Sequence, residues 1–157
     1  MTHITKIFRK TLVGLLSLLG FSCFFYNTPD YGVAEYGVPS AAYKAKGVVV
    51  SDETSLPIEG IQARLIRKYE YFTEEQVYEI DITTTDHTGS FFLEGWEFPK
   101  LVLYVELSDI DGDENGSFIT KVIEADFTNA TFTGGNGWYV GTAQIDLGTI
   151  RMQPEIK

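Results

Sequence analysis

The stretch LVLYVEL, residues 101–107, sets Leu101, Leu103, Val105 and Leu107 at every second position, with Val102, Tyr104 and Glu106 between them. A repeat of two belongs to a strand with one buried face, because successive side chains of an extended chain point to opposite sides. AQIDLG repeats the pattern, with Ile145 and Leu147 alternating with Gln144 and Asp146. No stretch of ten or more residues shows a convincing helical period. YEYFTEEQVYE, residues 69–79, comes nearest, but its aromatics and the alternation of Ile80, Asp81 and Ile82 that follows favour strand and loop.

Strands are therefore expected near residues 45–50, 61–69, 77–85, 90–96, 101–108, 118–127 and 143–152. The breaks between them carry turn chemistry. In TTDHTGSF, Asp86 and Gly89 stand three apart, which predicts a tight hairpin turn with glycine at positive φ. SLPIEGI breaks the chain at Pro57 and Gly60, and EFPKL does so at Pro99. About seven short strands at this spacing predict an all-β sandwich. A chain of 157 residues holds one such domain plus an extension.

The extension is N-terminal. Residues 1–22 run from a basic start, Lys6, Arg9 and Lys10, through the apolar TLVGLLSLLGF to Ser22. That order matches a secretory signal peptide. The 11-residue apolar run is shorter than the roughly 18 to 20 residues that cross a bilayer as a helix. Cys23, the single cysteine, follows directly, and the next residues, FFYNTPDYGVAEYGVPSAAY, contain Pro29 and Pro39 and no helical period. The expected layout is a leader over residues 1–22, a tether over 23–43 and a sandwich over 44–157. With Lys6, Arg9 and Lys10 removed, the 12 basic residues fall to 9 against 22 acidic ones, a balance of −13. Such a surface repels phosphate backbones, which argues against nucleic-acid binding.

A lone cysteine at the end of an apolar run resembles the lipobox of bacterial lipoproteins. There the sulfur takes a diacylglyceryl group and the new amino terminus is acylated. Ser22 fits the position before the cysteine, while Gly20 and Phe21 stand where that pattern has leucine and a small residue. The resemblance implies a membrane attachment through Cys23. More than one acyl chain makes such an anchor stable, since each buried methylene contributes about 0.8 kcal/mol.

KGVVVSDETSLPIEGIQARLI followed by TTTDHTGSFFLEG is similar to the carboxypeptidase regulatory-like, transthyretin-like sandwich domains. With EYGVPSAAYKAKG and DIDGDENG added, the chain resembles the lipoproteins of Bacteroidetes that are paired with a radical S-adenosylmethionine protein. That resemblance implies an outer-membrane lipoprotein of the cell envelope. It also implies a radical enzyme as partner, with this chain as its partner or target. One cysteine cannot ligate an iron–sulfur cluster, so the radical chemistry would belong to the partner.

Two stretches invite binding. In SDIDGDENGSF, Asp109, Asp111, Asp113 and Asn115 recur at alternate positions and could offer oxygen ligands to calcium. Glu114 and Thr120 depart from the EF-hand pattern, and a solvated acidic turn between two strands, with Gly112 and Gly116 supplying backbone freedom, is the favoured reading of the stretch. In TFTGGNGWYVG, Trp138 and Tyr139 follow a glycine-rich loop. Exposed, they would stack on a sugar or grip a partner peptide; folded back, Trp138 would cover the core, as large aromatics commonly do. His87 is the one histidine outside the leader, and it sits in a turn without the context of a catalytic triad or a zinc site.

The functional expectation is a non-enzymatic, lipid-anchored binding module of the envelope, or the target of a radical enzyme, with no cofactor beyond a calcium ion. A small hydrolase using paired carboxylates and a carbohydrate-binding sandwich are the alternatives.

Overall fold

The structure is a computed structural model, and it describes residues 37–112 and 116–155. Cys23, the leader, residues 23–36 of the expected tether, Asp113 and Asn115 lie outside the described residues.

Eight strands form two sheets: β1 (Ser40–Ser51), β2 (Gln62–Tyr71), β3 (Glu74–Thr84), β4 (Ser90–Glu97), β5 (Val102–Ser108), β6 (Lys121–Asp126), β7 (Thr133–Asn136) and β8 (Tyr139–Met152). One sheet has the order β4-β1-β8-β7 and the other β3-β2-β5-β6. Strands β1 and β8 run parallel, and every other pairing is antiparallel. The chain is thus an all-β sandwich, as its alternation predicts, with eight strands among the described residues where about seven were expected.

The inward faces follow the period of two. Tyr43, Ala45 and Val49 from β1, Phe91 and Leu93 from β4, and Leu103, Val105 and Leu107 from β5 are buried together. Tyr43 anchors one end, with its ring edge-on to Phe127 at 4.8 Å and to Phe132 at 5.8 Å. Its hydroxyl donates to the Phe98 carbonyl at 2.5 Å, and burial pushes its ionisation upward. A buried phenol keeps such a partner because an unbonded hydroxyl in the core costs about 1–3 kcal/mol.

Three expectations change. The tether was drawn through residue 43, yet β1 begins at Ser40, and the compact unit starts at Gly37. The reason is parity: Ala41 and Tyr43 continue the inward series of Ala45 and Val49, so these residues belong to the core. The Asp86–Gly89 turn is tight, with the Gly89 N–H donating to the Asp86 carbonyl at 2.8 Å and φ of 72° at Gly89. It is not a hairpin, however, because β3 pairs with β2 in one sheet and β4 with β1 in the other. The expected strand over 118–127 shortens to β6, with Phe118 making an isolated bridge to Pro154.

Sheet edges are managed locally. At the β4 edge, the Glu94 N–H donates to Asp81 Oδ2 of β3 at 2.8 Å, which caps an amide that would otherwise invite another strand. Gly95 on β4 faces inward, where an added Cβ would overlap Ile80 Cγ2, so glycine there lets β3 close over β4.

Candidate binding surface

The outer face of the β4-β1-β8 sheet carries the most informative surface. Register aligns its side chains in rows: Trp96, Ala42 and Thr142; Glu94, Lys44 and Gln144; Phe92, Lys46 and Asp146. On β4 the inward series Phe91, Leu93 and Gly95 leaves Phe92, Glu94 and Trp96 outside. Trp96 is 61% exposed and Phe92 49%. Ala42 shares the row of Trp96 and Thr142 and is only 2% exposed.

Tyr139 reaches this face by an irregularity. By parity it matches Ala143, which points inward. The register shifts between Ser40 and Ala41, pairing Ser40 with Tyr139 and Ala41 with Gly141, so Val140 is an extra residue. A bulge of this kind turns the preceding side chain to the other face. Gly141, with φ of 122°, supplies the backbone freedom, and a Cβ there would lie within 3.0 Å of the Thr133 backbone nitrogen. The Tyr139 ring then lies 5.0 Å from Trp96, tilted by 35°, and its hydroxyl is 2.7 Å from Thr142 Oγ1.

Trp138 does not enter the core. It is 48% exposed and lies over Gly37, where an added Cβ would sit 2.6 Å from its Cδ1, while its carbonyl accepts the Ser40 N–H at 2.9 Å. The structure therefore splits the sequence pair: Tyr139 joins Trp96 on the sheet face, and Trp138 packs at the chain's entry into β1. Trp96 was missed by sequence reasoning, although the alternation of FFLEGW already puts it opposite the core side chains.

The charges on this face are paired. Lys44 Nζ lies 3.2 Å from Glu94 and also 5.9 Å from the Phe92 ring centroid, and Lys46 Nζ lies 3.0 Å from Asp146. The Gly148 amide and the Lys46 ammonium hold the Asp146 carboxyl below the ordinary aspartate range.

The acidic loop is arranged differently. Asp109 accepts the Phe118 N–H at 2.9 Å and the Asp111 N–H at 3.3 Å, so its oxygens serve the loop's own backbone. Burial pushes its carboxyl upward despite those bonds. Among the described residues no group of three or more histidine, cysteine, aspartate or glutamate side chains could hold a metal ion. Several carboxylates are engaged by cations: Arg64 bonds both Glu79 and Glu106, Arg67 pairs with Glu97 at 2.8 Å, and Lys68 with Glu75 at 3.1 Å. His87 lines an open cleft with Glu59 and Phe118 at the turn end of the sandwich.

No protein-family model matches the chain, and no curated protein matches it. Solved structures with a similar fold include a 9R-lipoxygenase from Cyanothece PCC8801, at 17% identity and a TM-score of 0.44. The match covers 70% of this chain and 16% of the lipoxygenase. The C-terminal domain of the shaft pilin SpaA from Lactobacillus rhamnosus GG matches at 12% identity and a TM-score of 0.42, over 73% of this chain and 98% of that domain. A 3-chlorocatechol 1,2-dioxygenase from Rhodococcus opacus 1CP matches at 11% identity and a TM-score of 0.42, over 78% of this chain and 62% of the enzyme. Some neighbours are enzymes, but similarity at this level assigns no activity to this chain.

Proposed function

We propose that the chain is a non-enzymatic binding module, held on the outer membrane by lipid on Cys23, whose working surface is the outer face of the β4-β1-β8 sheet. The observation that carries the binding role is the exposed Trp96 ring, beside which a bulge in β8 brings the partly buried Tyr139. A large exposed aromatic forgoes about 1.5–3 kcal/mol of burial, so Trp96 and Phe92, both exposed on one sheet face, mark a surface that meets a partner. The anchoring role rests on the lipobox resemblance of the residues around Cys23. Apart from this face, the resemblance to the Bacteroidetes lipoproteins makes a radical S-adenosylmethionine protein a candidate partner that targets the chain.

The test is capture from native envelopes. Wild-type protein should retain an envelope component that the Trp96→Ala, Tyr139→Ala double variant loses, with both proteins equally folded. Equal recovery by the two would remove the binding role from this face.

A further inference from the structure

We infer that the ligand of this face is a neutral, linear polysaccharide, with Trp96 and Phe92 as two stacking positions on one chain; this rests on the binding-module reading above. Trp96 stands four positions after Phe92 on β4, which at about 3.3 Å per residue sets the bases of the two side chains roughly 13 Å apart on the same face. Between them runs the row Glu94–Lys44–Gln144, which offers carboxylate, ammonium and amide groups. An aromatic ring presents a negative π face, and the C–H face of a pyranose is apolar and weakly positive, so the two stack. The hydroxyls at the rim of the sugar need both donors and acceptors, which the middle row supplies.

Charge decides between ligand classes. The chain carries a net charge of −10, yet on this face Lys44 is paired with Glu94 and Lys46 with Asp146. A locally neutral field offers nothing to an anionic chain and no steering to a basic one. A protein partner is also a poor fit. The centres of protein interfaces are depleted of charged residues, whereas here the Lys44–Glu94 pair lies between the two rings and the Lys46–Asp146 pair in the row of Phe92. A neutral polyhydroxyl chain is the ligand that uses rings and paired charges together, and the distance between the rings requires several sugar units.

The test uses the protein purified from membranes in detergent. Because Trp96 and Trp138 are the only two tryptophans, a Trp138→Phe variant makes fluorescence report on Trp96 alone. Linear gluco-, xylo- and mannohexaoses are titrated, with polygalacturonate as the anionic comparison. We expect a saturable change in Trp96 emission with at least one neutral hexasaccharide, little effect of salt, and none with polygalacturonate. Calorimetry should show Trp96→Ala weakening that binding at least about tenfold. Phe92→Ala should weaken the hexasaccharide but leave the matching disaccharide, too short to reach both rings, unchanged. No saturable response to any neutral hexasaccharide at millimolar concentration would overturn the assignment, as would binding that survives loss of both rings. If no sugar binds while Trp96 and Tyr139 remain necessary for capture from envelopes, the glycan ligand falls and the binding module stands.

Discussion

Asp86 shows how much one residue settles. Its carboxylate accepts the Thr88 hydroxyl at 2.6 Å and the Thr88 and Ser90 amides at 2.8 and 3.0 Å, which together hold it below the ordinary aspartate range. A carboxyl depressed in the folded state stabilises the fold above its unfolded value of about 3.9, and that contribution is lost as pH falls through the folded value. Asp86→Asn is therefore expected to lower the denaturation midpoint at pH 7, and the gap to wild type should close below about pH 3.9. Gly89 in the same turn is required by sterics, since an added Cβ would overlap the Val49 carbonyl and φ is positive. Gly89→Ala should cost about 2 kcal/mol in chemical denaturation. Both residues were legible in TTDHTGSF, because turn chemistry is local. Trp96 was equally legible from parity. Tyr139 was not, because its outward direction depends on an extra residue that only pairing with Ser40 reveals.

At the scale of elements, interior strands were readable and their margins were not. Alternation marks β4, β5 and the inner part of β8, where one face is buried. It fails at β7, whose sequence TGGN has no apolar side chain to alternate and whose pairing is with β8. It also fails at the tip of the β2–β3 hairpin, where Phe72 and Thr73 take φ of 49° and 77° without a glycine to announce the turn. Where β2 approaches β4, Arg67 pairs with Glu97, whose side chain is only 9% exposed, and aromatic rings of Tyr69, Tyr78 and Phe98 surround the guanidinium within 5.8 Å. Arg67→Ala would strand that carboxylate, and urea denaturation should show a loss of about 2 kcal/mol. The double change Arg67→Met, Glu97→Leu should recover most of it. In the β5–β6 connection, Asp109 is committed to backbone amides.

For the whole molecule, the two sheets enclose a core built without any disulfide, since the single cysteine lies at position 23, before the sandwich begins. The fold is then a stable body free to display one sheet face, and the proposed lipid supplies its address. These roles separate cleanly by mutation: changes at Trp96 and Tyr139 should alter binding and leave location intact, and a change at Cys23 should do the reverse. The most direct measurement is fractionation of cells with the intact mass of the recovered protein. Wild type should partition with the membrane and carry the mass of residues 23–157 plus acyl chains, whereas Cys23→Ser should appear in the soluble fraction without them. A Cys23→Ser protein that stays as firmly with the membrane as wild type, or a wild-type mass with the leader retained and no lipid, would contradict the account.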